Sequence, residues 1–355
     1  MPSAATLFGV MRINMNFFKA FRWHGRLSIL LVSHAMVVLG LGAAGLGRPS
    51  PASAQTTYPE RPIRLVIGYP PGGSVDFAGR IVGEALAAAL KATVVIENQG
   101  GAAGAIAAQR VATSAPDGYT LLLGSSNELA GTGAVNPNQK YNALKDFTPI
   151  GLVATAPVLL VAGPKTSVKT LGEFMQVAKA NPGKFSYGTS GVGSSLHFAA
   201  ELMKRQANIF MTHIPYRGVA PLTNDLVGGG IEFAVMSIPA AKSFMANGRL
   251  TALGVTSAQR LPGLPKIPAL NEHVLLKGYE LNGWFALVGP RNMPSELSQK
   301  LTSALQALLA DPVVKQRLED GGNIVATGKE NLGEVMSKEA SKLSQIADFA
   351  KMREQ

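Results

Sequence analysis

No cysteine occurs among the 355 residues. Disulfides, thiolate metal centres and cysteine nucleophiles are thereby excluded. The absence suits an oxidising compartment without fixing one. Histidine is almost as scarce: beyond residue 54 there are only His197, His213 and His273, none with an evident catalytic partner. A serine hydrolase needs a base beside its nucleophile and a G-x-S-x-G elbow. Gly188-Thr189-Ser190-Gly191-Val192 lacks the last glycine, and Gly124-Ser125-Ser126 fits poorly. The H-E-x-x-H pattern is missing; His197 and Glu201 stand four apart and read as a helix-surface pair rather than as metal ligands. No lysine follows a glycine loop as a P-loop requires. Charged residues make up only 15%, and no run of four basic residues occurs despite a net charge of +11. Nucleic-acid binding therefore gains no support.

Acidic residues are absent from one long stretch. Residues 1–54 contain no Asp or Glu and carry Arg12, Lys19, Arg22, Arg26 and Arg48. An uncharged run from Leu27 to Gly47 follows the basic cluster, and Ala52-Ser53-Ala54 gives a small-x-small cleavage pattern before Gln55. This reads as a secretory signal peptide cleaved near Ala54, with Met1, Met11 or Met15 as its start. An uncleaved membrane anchor is the alternative, since Leu27–Gly47 is nearly long enough to span. The missing cysteine excludes a lipoprotein anchor. Removing the segment takes +5 from the net charge of +11 and leaves +6 on the mature chain. Such a diffuse positive field favours anionic ligands. Gly40-Leu41-Gly42-Ala43-Ala44-Gly45 matches G-x-G-x-x-G but precedes no βαβ helix and lies in the part to be removed.

What is present begins with Ile63–Asp76, IRLVIGYPPGGSVD. Arg64–Tyr69 reads as a buried parallel strand. Pro70 and Pro71 end it, and Gly72 and Gly73 permit a sharp turn. Ser74 is the expected N-cap of a helix over Val75–Leu90, whose apolar residues recur at helical spacing. A helix N-terminus behind two glycines gathers unpaired N–H groups at the positive end of the macrodipole, a place suited to carboxylate, phosphate or sulfate. An ordinary tight βα turn without a ligand is the other reading.

The mature chain continues in α/β alternation. Thr93–Glu97 and Tyr119–Gly124 read as further parallel strands around an alanine-rich helix, Ala102–Ala115. The third strand ends in Ser125-Ser126-Asn127, on the same rim as Gly72-Gly73-Ser74, where open parallel sheets bind ligands. Phe147–Gly163 is too long for one ordinary strand and reads as a crossing that bends near Ala156-Pro157 into a second domain. There, Thr189-Ser190 through Ser194-Ser195 forms another Gly/Ser loop before a helix, and Tyr216-Arg217-Gly218 ends the next strand. Tyr279–Val288 crosses back, and the chain is helical from Pro294. Tyr69, Tyr187 and Tyr216 either wall a small pocket or pack at strand ends.

These residues carry a resemblance. YPERPIRLVIGYPPGGSVDFAGRIVGEAL closely resembles the opening of the Bug-type, tripartite tricarboxylate transporter substrate-binding proteins. ENQGGAAGAIAAQRVATSAPDGYTLLLGSS, YGTSGVGSSLHFAAELM, HIPYRGVAPLTNDLVGGGIEF and LGVTSAQR match in the same order, covering essentially the whole mature chain. The resemblance implies an α/β, two-lobed periplasmic binding protein of type II, a Venus flytrap with a parallel-rich mixed sheet in each lobe. Residues 55–157 and 284–355 would form lobe 1, and 158–283 the inserted lobe 2.

It also implies a periplasmic receptor, not an enzyme, that captures a small organic acid and delivers it to membrane transporter subunits. It is expected to be a monomer without cofactor, metal or nucleic-acid partner. A sensing module that presents its ligand to a signalling receptor is the alternative. The ligand carboxylate would be held by backbone amides and hydroxyls. Tyr69, Gly72, Gly73, Ser74, Ser125, Ser126 and Asn127 would serve from lobe 1. Thr189, Ser190, Ser194, Tyr216, Arg217, Gly218, Met236 and Ser237 would serve from lobe 2. Asp76 would cap the first helix rather than touch an anion. One departure stands out: the family usually reads D-L-M-F-D where this chain has Glu232-Phe233-Ala234-Val235-Met236. Met236 in place of Asp predicts a ligand with a less polar distal end, an aromatic or aliphatic acid. The family usually has Lys where this chain has Arg217.

Overall fold

The computed structural model describes residues 58–354; the leader read in residues 1–54 lies outside them. The first elements are β1 (Ile63–Ile67), α1 (Ser74–Leu90), β2 (Val94–Asn98), α2 (Ala105–Ala112) and β3 (Thr120–Ser125). β1 is buried at every position but Arg64, and β3 at every position, as strands covered on both faces must be. A π-helical turn, Asn127–Gly131, leads into the short α3 (Thr132–Val135). The Ala102–Ala115 helix is shorter than its composition suggests. Gly101, Ala102, Ala103 and Gly104 all have positive φ, so the regular helix starts only at Ala105.

β4 (Phe147–Ala156) and β5 (Val158–Ala162) are one run broken at Pro157. α4 (Leu171–Ala180) opens on a capping box of Thr170 and Glu173. β6 (Ser186–Thr189), α5 (Ser195–Ala207), β7 (Thr212–Pro215), α6 (Val219–Gly228), β8 (Phe233–Ser237), α7 (Ile238–Ala246) and β9 (Thr251–Val255) follow. β10 (Gly283–Pro290), α8 (Ser295–Ala310), α9 (Pro312–Asp320), the two-residue β11 (Ile324–Val325) and α10 (Leu332–Phe349) complete the chain. Asp311 and Asn331 cap α9 and α10 through their side chains.

These strands form two mixed sheets, ordered β11-β4-β10-β3-β1-β2 and β7-β6-β8-β5-β9. β1, β2 and β3 run parallel, and so do β6, β7 and β8. Two crossings join the sheets. β4 ends in the first at Ala156 and β5 starts in the second at Val158, while β10 starts in the first at Gly283, paired with Ala156. The register then fixes which edges meet. Ser125, at the carboxyl end of β3, pairs with Phe285, which also pairs with Ala154, two residues from the end of β4. Ser237, at the carboxyl end of β8, pairs with Val158, the first residue of β5. The carboxyl ends of the parallel strands in both sheets therefore lie on the Pro157 side, where an α/β sheet holds its ligands.

One apolar cluster runs through both lobes. It includes Val66, Leu122 and Ala286 of the first sheet, Leu160, Tyr187 and Phe233 of the second, and Leu343 and Ile346 of α10. The lobes also meet beyond it: Lys242 of α7 donates to the Asp320 carbonyl at 3.1 Å.

Candidate functional site

At the rim of lobe 1, Gly72 has φ +90° and Gly73 is the residue before the first helical turn. Ser74 is the first residue of α1 and caps nothing, which corrects its assignment as N-cap; Gly73 holds that position, with no side chain to cap with. A Cβ added at Gly72 or Gly73 would meet nothing within 4 Å, so this bend faces open space. Among the described residues, the amides of Gly73, Ser74 and Val75 donate to no acceptor. They point outward at the positive end of a 17-residue helix.

The Gly72 amide is different: it donates to Asp76 Oδ2 at 2.9 Å. Asp76 also accepts from Arg80 (3.0 Å to each oxygen) and from Asn98 Nδ2 (2.9 Å). Burial raises the Asp76 carboxyl, but the hydrogen bonds from Arg80, the Gly72 amide and Asn98 and the Arg80 charge outweigh it and hold it below the usual carboxylate range. A group whose folded pKa is lowered stabilises above its unfolded pKa and loses that contribution as pH falls below it. Asp76→Asn is therefore expected to lower Tm near neutral pH by the equivalent of about 1.5–3 kcal/mol, the worth of hydrogen bonds to a charged group. Thermal melts of both proteins from neutral pH down to about pH 3 check this: the gap should narrow below about pH 4. A gap that stays constant through that range would refute the role.

Ser125, Ser126 and Asn127 are buried; Asn127 donates to the Ser125 and Tyr69 oxygens, and the donors of Ser125 are engaged as well. A residue that the sequence reading missed takes them: Glu128, fully buried in the π-helical turn. Its carboxyl accepts from the Ser125 amide (2.7 Å), the Ser125 hydroxyl (2.6 Å) and the Tyr69 hydroxyl (2.9 Å). Burial pushes this carboxyl up to about 7, against the pull of the Ser125 and Tyr69 hydrogen bonds. Asn127 donates to the Tyr69 oxygen at 2.7 Å and accepts from the Ser195 amide of lobe 2 at 2.6 Å. Asn127 thus joins the lobes, with its carboxamide oxygen at the N-terminus of α5. No pattern in the sequence marks Glu128, because an acidic residue after a strand end is ordinarily a solvated loop position.

In lobe 2 the Gly/Ser loop is largely self-bonded. The Ser194 hydroxyl donates to the Gly191 carbonyl (2.8 Å) and caps α5 by accepting from the His197 amide (3.3 Å). Thr189 is buried and shares a 2.7 Å hydrogen bond with His213 Nε2. Ser190 is half-buried. The Tyr216 hydroxyl donates to Asp225 and its ring packs on Gly188, so its polar end serves α6 and is not offered to a ligand. Beside it the chain opens. Arg217 is exposed and, among the described residues, forms no ion pair. Gly218 has φ +109°, a Cβ there would meet nothing within 4 Å, and the amides of Gly218, Val219 and Ala220 donate to no described acceptor.

Met236 requires a correction. It is fully buried in the lobe 2 core with Leu159, Val161 and Ala234, on the face of β8 opposite Val235 and Ser237. It lines no cleft, so the less polar ligand end inferred from it loses its basis. Ser237 is buried at the carboxyl end of β8, and its hydroxyl has no partner among the described residues. His197 and Glu201 are structural. Burial, with the His213 and Lys204 charges, pulls His197 down to about 2, so it is neutral, and it stacks on His213 at 3.8 Å between ring centroids. Glu201 accepts from Lys204 (2.6 Å) and from the Tyr187 hydroxyl. Among the described residues no group of three His, Asp or Glu could hold a metal ion, and no helix is long and apolar enough to cross a membrane. Two surface grooves, of about 640 and about 990 Å³, lie at Arg61–Thr120 and at Val192–Lys351 and are lined by none of the expected ligand residues.

Two lobes joined by two crossings, with polar strand ends gathered at the crossing side, define a solute-binding receptor of the periplasmic binding protein kind. The comparisons narrow this. The chain belongs to the tripartite tricarboxylate transporter family of receptors, whose description matches residues 78–348. It is 32% identical over 305 residues to BugT of Bordetella pertussis, covering 85% of this chain and 93% of that one. Among solved structures it is similar to an R. palustris protein with adipate (TM-score 0.78, 29% identity, 83% of this chain and 98% of that). It is also similar to MatC from Rhodopseudomonas palustris with bound malate (TM-score 0.74, 29% identity, 81% and 99%). The family is one of periplasmic solute receptors, not enzymes. The resemblance read from the ordered motifs and the fold class it implied are both borne out.

Proposed function

We propose that this chain is an exported receptor that captures a small organic acid between its lobes and delivers it to the membrane subunits of a tripartite transporter. The observation that carries the reading is the convergence of strand ends at Pro157, with unspent amides at α1 in one lobe and at α6 in the other. Gly73 and Ser74 hold the acid from lobe 1, and Arg217 and Gly218 from lobe 2. Ser126 and Ser190 border the same space, and Ser237 supplies a hydroxyl without a partner of its own. Anion binding by main-chain amides at helix N-termini needs no arginine clamp; Arg217 adds attraction from the rim. Binding biases the lobes toward the closed form, which the transporter recognises. The adipate and malate bound by relatives point to dicarboxylates as the class to try. Isothermal titration of the exported chain against a panel of mono-, di- and tricarboxylates, with adipate and malate among them, tests this. Saturable binding of at least one acid is expected, and none across the panel would refute the reading.

A further inference from the structure

The donors that the sequence assigns to a ligand carboxylate already hold a carboxylate. Ser125 spends both its amide and its hydroxyl on Glu128, and Tyr69 adds a third donor. The arrangement is built, not incidental. Glu128 is fully buried in a π-helical turn, a rare local structure found often at functional sites. The Gly101–Gly104 segment is bent around it through consecutive positive-φ residues, and a Cβ at Gly104 would lie 2.7 Å from the Glu128 carboxyl. The network reaches the lobe junction in one further step, through Asn127 to the Ser195 amide.

We propose that Glu128 is an internal competitor for the ligand, and that an incoming organic acid takes over donors at the β3 end as Glu128 takes up a proton from solvent. This rests on the receptor reading above. A buried carboxylate and a ligand carboxylate on adjoining donors repel, and the cheapest relief is to neutralise one. As an acid, Glu128 no longer needs three donors. Its own O–H is satisfied by the Tyr69 oxygen, and Tyr69 turns its proton to the Ala103 carbonyl, already 2.9 Å away. The Ser125 hydroxyl is then released.

The surroundings leave Glu128 as the group that answers. From the turn after β1 comes Tyr69, and the Tyr141 hydroxyl donates to the Glu128 carbonyl; burial raises both above the ordinary tyrosine value. α2 brings Arg110, tied to Glu97 and Gln99. α3 has no ionisable residue. α10 carries Glu334 paired with Lys338, Glu339, Lys342 bonded to the Glu280 carbonyl, and Asp348 paired with Arg353. Arg353 also donates to Ala134 of α3. Across the junction α5 brings neutral His197, and Glu201 with Lys204. Because burial places the Glu128 carboxyl near 7, proton uptake falls in the working range of the measurement.

The test is titration calorimetry with the tightest acid of the panel, at pH 6, 7.5 and 9, in buffers of different ionisation enthalpy. The native protein should bind with uptake of about half a proton near pH 7.5 and lose about tenfold in affinity from pH 6 to pH 9, a shift of about one pKa unit. Glu128→Gln should remove that pH dependence and bind about tenfold more tightly than the native protein at pH 9, where a merely structural role would weaken binding. Should the variant fail to fold, the native protein decides the matter. Infrared difference spectra with the ¹³C-labelled acid should show a protonated protein carboxyl appearing on binding. Binding without proton uptake, or without that band, overturns this inference and leaves the receptor reading standing. A panel in which no acid binds overturns both.

Discussion

Ser74→Glu is expected to reduce organic-acid affinity about a hundredfold while leaving Tm unchanged or slightly raised. The two effects have opposite signs because they come from the same field. Ser74 begins α1, makes no capping hydrogen bond and is half-buried beside the open bend at Gly72 and Gly73. A carboxylate in the first turn is favoured by the helix dipole by about 0.3–1 kcal/mol. The same carboxylate sits where the ligand anion must come, and two unit charges about 4 Å apart repel by roughly 1–4 kcal/mol between bulk water and a near-surface environment. A loss of about 2.7 kcal/mol is a hundredfold in Kd. Calorimetry gives the affinity and a thermal melt gives the stability. Undiminished binding in a folded Ser74→Glu protein would remove the α1 N-terminus from the site.

Gly68→Ala is expected to cost about 1–3 kcal/mol of stability or somewhat more, since overpacking against a fixed backbone cannot be relieved by a rotamer change. A Cβ at Gly68 would stand 2.7 Å from the Gly104 Cα and 3.1 Å from its carbonyl oxygen, both main-chain atoms. At roughly 2–4 °C per kcal/mol for a chain approaching this size, Tm should fall by several degrees. The clash pushes on the segment that shapes the Glu128 pocket, because Ala103 accepts from Tyr69 and Gly104 abuts the Glu128 carboxyl. Affinity should therefore drop with stability. Gly73→Ala is the matched control. Its φ is −84° and its Cβ would meet nothing, so its Tm should stay within about 0.5 kcal/mol of native, as for an ordinary surface change. Equal melts for the two alanine variants would refute the packing argument.

Those two glycines mark how far the sequence could be read. Both lie in GYPPGG, and residue type alone makes them equivalent. One is pinned against a neighbouring loop and the other borders open space, which only the partner segment decides. The same limit explains Tyr216 and Met236. Each stands at a strand end, but the side a residue faces depends on the sheet's packing: Tyr216 turns to Asp225 and Met236 into the core. Glu128 escaped for the opposite reason, since nothing local distinguishes a buried carboxyl from a solvated one. The two-residue β11 likewise carries no periodic signal, being a strand only because β4 lies beside it.

The order of strands and helices, the break at Pro157 and the glycine-opened start of α1 follow from periodicity, proline geometry and the freedom of glycine, all properties of a few neighbouring residues. The ordered motifs carried the family as well. Which donors remain free for a guest was decided by tertiary structure, which adds Asn98, Tyr69 and Ser195 to the local bonds at Asp76, Glu128 and Asn127. A donor's partner is set by what the fold brings within about 3 Å of it: Gly72 and Ser125 find theirs in the same turn, but Tyr69, Asn98 and Ser195 find theirs in another turn, another strand and the opposite lobe.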